Sequence, residues 1–74
     1  MNQHTIGENA GIIWRLLNGY GYRSYAELKE ESGLSDRDLN MAIGWLAREG
    51  KVEFALNEEK GRDDLYVELN LYIG

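Results

Sequence analysis

Three stretches of the chain repeat their apolar residues at helical spacing, and two more alternate. Ile6, Ala10, Ile13, Trp14 and Leu17 recur at intervals of four, three, one and three, which puts them on one face of a helix over about 6–18. Thr5 with Glu8 three residues on reads as a capping box that opens it. Asn18 and Gly19 are expected to close it, because both tolerate the left-handed cap conformation, and Gly21 adds another break. Ser24 with Glu27 forms a second capping box, and Tyr25 and Leu28 supply the apolar side of a short helix over about 25–32 that stops near Ser32 and Gly33. Leu34 falls in the turn. Ser35 with Asp38 opens a third helix over about 36–49, with Leu39, Ala42, Ile43 and Leu46 on one face and Gly50 placed to terminate it.

The period then changes. Val52, Phe54 and Leu56 alternate with Lys51, Glu53 and Ala55, which predicts a strand over about 51–56. Leu65, Val67, Leu69, Leu71 and Ile73 alternate with Tyr66, Glu68, Asn70 and Tyr72, which predicts a second strand over about 65–73. The polar stretch from Asn57 to Asp64, with Gly61, joins them as a hairpin loop. A hairpin is not stable alone and must pack on the helices. A short strand at Tyr22 and Arg23 could complete a small sheet. The expected fold is α+β: one domain over 1–74 with three helices, the second and third joined by a tight glycine-containing turn, and a C-terminal β-hairpin.

The run Leu34-Ser35-Asp36-Arg37-Asp38-Leu39-Asn40-Met41-Ala42-Ile43-Gly44-Trp45-Leu46-Ala47-Arg48-Glu49-Gly50-Lys51-Val52 resembles winged helix-turn-helix domains. Its second half, from Trp45, is similar to their usual end of the recognition helix and start of the wing. The opening Ile6-Gly7-Glu8-Asn9-Ala10-Gly11, with Ile13 and Trp14, resembles short, free-standing bacterial winged-helix proteins of uncharacterised function. The resemblance implies a wing formed by the hairpin. For winged helices in general it implies DNA binding with the third helix in the major groove, although many of them mediate protein contacts instead.

Composition limits the other options. The chain has 74 residues and no cysteine, so it has neither a disulfide framework nor a thiolate metal site. Met1 to Gly11 lack the apolar stretch of a secretion signal, and no run approaches the roughly 20 apolar residues of a membrane span. These features fit a cytoplasmic protein. His4 is the sole histidine and has no second ligand at metal spacing, so neither a metal site nor a Ser/His/Asp set is expected. No glycine-rich phosphate loop is present. The expectation is a protein that is not an enzyme and takes no cofactor.

The third helix carries the chemistry that a nucleic-acid reader needs. At about 100° per residue, its side opposite the apolar stripe holds Arg37, Asn40, Met41, Gly44 and Arg48, with Trp45 toward one edge. Arginine and asparagine pair with guanine and adenine edges in the major groove, and Gly44 permits close backbone approach. Lys60 and Arg62 in the hairpin loop would add phosphate contacts. The overall charge opposes this. The formal net charge is −5, the segment 35–49 carries −1, and the loop 57–64 carries −2. Phosphate contacts supply most non-specific affinity, and the alternative for these arginines is ordinary solubilising surface charge.

A second surface competes with the first. Ile12 and Leu16 stack one turn apart on the first helix, about 100° around from its main stripe. Leu16 is expected to flank the core and Ile12 to be exposed. The last predicted strand outruns its partner, which leaves Leu71, Tyr72 and Ile73 either capping the core or pairing with a second copy of the chain. Five tyrosines add side chains of the kind enriched at interfaces. Two functions therefore stand: a regulatory domain that binds double-stranded DNA through Arg37, Asn40, Met41, Arg48, Lys60 and Arg62, or a protein-interaction module, self-associating as a homodimer through Ile12, Leu71, Tyr72 and Ile73.

Overall fold

The computed structural model describes residues 2–20, 22–57 and 64–69. Along the chain these form α1 (Gln3–Tyr20), β1 (Tyr22–Ser24), α2 (Tyr25–Ser32), α3 (Asp36–Arg48), β2 (Val52–Asn57) and β3 (Asp64–Leu69). Lys60, Arg62, Leu71, Tyr72 and Ile73 lie outside the described residues, as does the expected continuation of the last strand beyond Leu69. The short strand at Tyr22 is present. It joins the hairpin in an antiparallel sheet of order β1-β3-β2. Tyr22 pairs with Glu68 and Ser24 with Tyr66 on one side of β3, and Val52 pairs with Leu69 and Asn57 with Asp64 on the other. This is the α+β arrangement that the change of period implied.

The helix ends show which caps prevail. α1 begins three residues before the expected Ile6, because Asn2 and not Thr5 is its cap. The Thr5 backbone N–H and hydroxyl both donate to Asn2 Oδ1, at 2.9 and 3.2 Å, and the Ile6 N–H donates to the Asn2 carbonyl. Asparagine is among the best N-caps and threonine somewhat weaker. Glu8 is thereby left to pair with His4, at 2.8 Å, instead of closing a box. Nor do Asn18 and Gly19 end the helix, which continues to Tyr20.

The second box is complete: Ser24 Oγ accepts from the Glu27 N–H and Glu27 Oε1 accepts from the Ser24 N–H, at 3.1 and 2.9 Å. At the third helix only half a box forms, with Ser35 Oγ accepting from the Asp38 N–H. Gly33 and Gly50 both take φ of 71°, the left-handed conformation that glycine adopts without a Cβ clash. After α3, the Gly50 N–H reaches the Ala47 carbonyl and the Lys51 N–H reaches that of Leu46, the paired bonds of a Schellman stop. Ser24→Ala is expected to lower the unfolding free energy by about 1 kcal/mol, measured by urea denaturation, because it leaves an α2 donor without its cap.

The core gathers Ala10, Ile13 and Leu17 of α1, Leu28 of α2, Leu39, Ala42, Ile43 and Leu46 of α3, Val52 and Val67. Leu16, Tyr25, Leu34 and Ala47 pack on its margin. Two apolar residues expected to face inward do not. Trp14 is 38% exposed, because it stands about 70° from the centre of the α1 stripe and lies on the rim beside α3. Phe54 shares a strand face with buried Val52 yet is 47% exposed. Its cross-strand partner Val67, on the central strand β3, is fully buried, so at this level the helices cover the middle of the sheet but not its β2 edge.

Candidate functional site

The loop between α2 and α3 is braced by polar contacts that decide how α3 is presented. Lys29 Nζ donates to Asp36 Oδ2 at 2.9 Å, and the Tyr25 hydroxyl donates to Asp36 Oδ1 at 3.0 Å. Both partners come from α2, so the first acid of α3 is tied back to the preceding helix. These bonds hold the Asp36 carboxyl below its usual range, Lys29 contributing most and Tyr25 next. Partial desolvation pushes the Tyr25 hydroxyl up, reinforced by its bond to Asp36 and the nearby negative charge, and opposed by Lys29 and Asn40. Leu28 and Leu39, both fully buried, fix the same two helices from below.

So held, α3 turns Arg37, Asn40, Met41, Gly44 and Arg48 to solvent, all of them exposed. Trp45 stands at the edge of this face. Among the described residues, none forms an ion pair with Arg37 or Arg48. The two lie about 16 Å apart along the helix axis at 1.5 Å per residue. Gly44 sits between them, and a Cβ built on it would meet no atom within 4 Å. The internal packing does not call for glycine there. Its effect is to leave a flat, accessible spot in the middle of the face. The acids near α3 are Asp36, already engaged, Asp38 in the first turn, half-buried, and Glu49 at the C-cap. In the sheet, Glu53 and Glu68 are direct cross-strand partners. Like charges so placed repel, and strand alternation puts them on the face away from buried Val52 and Val67.

Some features of the surface were not anticipated from sequence. Arg23 Nε lies 3.0 Å from both carboxylate oxygens of Glu31, and an Arg23 terminal nitrogen donates to the Tyr22 carbonyl. The arginine side chain is only 11% exposed, so this pair fastens β1 to the end of α2. A depression of about 310 Å³ lies between α1 and α3, lined by Gly7, Gly11, Trp14, Trp45 and Lys51 among others. Ile12 is half-buried rather than exposed. Its neighbours on α1 line a second shallow depression, described below. Among the described residues, no group of three or more His, Cys, Asp or Glu is arranged to hold a metal ion, and no helix is long and apolar enough to cross a membrane.

Two carboxyl groups link this region to pH. Glu27 is held below its ordinary value of 4.5, chiefly by the Ser24 backbone N–H and then by the Ser24 side chain, and Asp36 below its ordinary 3.8. A group with a lowered folded pKa stabilises the fold above its unfolded value, and that contribution is lost as pH falls through the folded one. Urea midpoints are therefore expected to change little from about pH 7 to about pH 5 and to fall below about 4.5. Glu27→Gln, which keeps a cap acceptor but cannot titrate, should flatten part of that fall; an unchanged acid profile would remove Glu27 from the account.

Other proteins are similar to this chain in fold and sequence. Over 58 residues the chain is 43% identical to the uncharacterized protein MJ1608 of the archaeon Methanocaldococcus jannaschii, covering 74% of this chain and 80% of that protein. Its fold is similar to the solution NMR structure of protein BT2368 from the bacterium Bacteroides thetaiotaomicron. The TM-score is 0.77 at 31% sequence identity, covering all of this chain and 90% of the other. A family model described as winged helix-turn-helix domain (DUF2582) matches residues 1–69. With the turn braced between α2 and α3, the hairpin following α3, and a family match that runs through β3, this chain belongs to the DUF2582 family of winged helix-turn-helix domains.

Proposed function

We propose that this domain is a non-enzymatic DNA-binding module of the transcription-regulator kind, acting in the cytoplasm, with α3 as its recognition helix. The observation that carries this is the exposed face of α3. Two arginines without ion-pair partners among the described residues flank an asparagine, a methionine and a glycine, while Asp36 is drawn back onto α2. Arg37 and Arg48 reach guanine edges or phosphates, Asn40 an adenine edge, and Met41 a thymine methyl. Gly44 lets the helix backbone approach the groove wall. Lys60 and Arg62, between β2 and β3 in the sequence, supply backbone contacts from the wing.

The test is fluorescence anisotropy of a labelled random-sequence duplex, titrated with the protein at low salt, where phosphate contacts are strongest. Binding that weakens steeply as salt rises supports this function. No binding at low salt overturns it and leaves a protein-interaction module, which the exposed Trp14, Trp45 and Phe54 and the net charge of −5 favour.

A further inference from the structure

We infer that the solvent face of α1 is a self-complementary docking surface for a second copy of this chain, with two α1 helices crossing antiparallel at Gly11. The first observation is a pair of glycines that the monomer does not use. Gly7 and Gly11 stand one turn apart inside an 18-residue helix, where glycine weakens the helix relative to alanine. A Cβ built on either would meet nothing within 4 Å. Both are half-buried at the border of the depression between α1 and α3, yet the fold leaves the space directly beside each empty. What glycine provides at such a site is close approach of another backbone, and helix–helix distance is set by the side chains at the crossing point.

The second observation is shape and charge. Gly7, Glu8, Gly11, Ile12, Trp14 and Arg15 together line a shallow depression of about 410 Å³ on this face. Glu8 lies three residues before Gly11 and Arg15 four after it. In an antiparallel crossing about a two-fold axis at Gly11, the Glu8 of one copy therefore falls on the same side as the Arg15 of the other. Their heights above the crossing are about 4.5 and 6 Å at the helical rise. The symmetry makes the same pair twice. Arg15 is exposed, and among the described residues it has no ion-pair partner. The present partner of Glu8 is His4, in a pair whose side chains are 64% and 85% exposed. Such a pair contributes little and exchanges readily. Trp14, 38% exposed, would close the rim of the contact.

This inference depends on no DNA contact, and its test uses no DNA. Sedimentation equilibrium of the full chain from about 1 µM to about 500 µM is expected to show a monomer passing to a dimer. Arg15→Glu should weaken the dimer by about tenfold or more, because it sets like charges together twice. The double variant Glu8→Arg with Arg15→Glu has the same net charge as the parent and should restore dimerisation. Gly11→Ala should raise the melting temperature of the dilute monomer while weakening the dimer, two opposite effects that a purely structural role would not give. Three results would each overturn the inference: a monomer at the highest concentration, a dimer indifferent to Arg15→Glu, or a charge swap that fails to restore.

Discussion

Leu39→Ala is expected to remove about 2–5 kcal/mol of unfolding free energy, the largest loss of any single truncation on α3. Leu39 is fully buried, so the substitution loses transfer energy and leaves a cavity beneath α3. A domain of 74 residues has about 4–11 kcal/mol in total at the usual stability per residue. The variant should therefore show a markedly lower urea midpoint and a measurable unfolded fraction without denaturant. Leu39 lies on the inner side of the helix that carries Arg37 and Asn40 outside, so any loss of DNA binding in this variant should track the unfolded fraction. A midpoint within about 1 kcal/mol of the parent would mean that α3 does not depend on this contact for its seat.

The second large effect is expected in salt. If α3 and the wing together neutralise about four phosphates, duplex affinity should fall about a hundredfold between about 50 mM and about 200 mM salt. Arg37→Ala and Arg48→Ala divide that loss by mechanism. An arginine that contacts a phosphate should, when removed, weaken binding to all sequences and reduce the salt slope by about one. One that reads a guanine edge should cost about 1–3 kcal/mol at one base position and leave the slope nearly unchanged. Both substitutions are on exposed side chains, so the urea midpoint should stay near that of the parent. Parental affinity and slope in both variants would mean that this face of α3 is not the contact surface.

The inner sides of the elements were largely legible from sequence, and the rims were not. Leu28, Leu39, Ala42, Ile43 and Leu46 follow directly from helical periodicity, because a buried stripe demands apolar residues at that spacing. The exposed face of α3 follows from the same count, as its complement. Periodicity fails at the edge of a stripe. Trp14 is apolar and adjacent to Ile13, so counting places it inside, whereas burial depends on the height of the neighbouring α3. Phe54 fails similarly, since alternation reports the face of a strand but not where the covering layer ends. At the start of α1, Asn2 competed with Thr5 for the cap position, and local patterns do not rank competitors. The Arg23–Glu31 pair joins a strand to a helix across the fold, and the bond from Tyr25 to Asp36 crosses the turn. Neither follows a repeat within one element. Gly7 and Gly11 of α1 were visible but not interpretable, because only the folded structure shows that the space beside each is empty.

The strand order has a consequence for synthesis. β3 lies between β1 and β2, yet it follows both in the chain: Tyr22 pairs with Glu68, and Val52 with Leu69. A nascent chain that has emerged only as far as β2 has its three helices but two strands with no mate, each an open edge able to capture another chain. Only when β3 docks do both neighbours gain their pairing partner. Until β3 docks, therefore, both of the other strands depend on the helices alone to shield their unpaired edges.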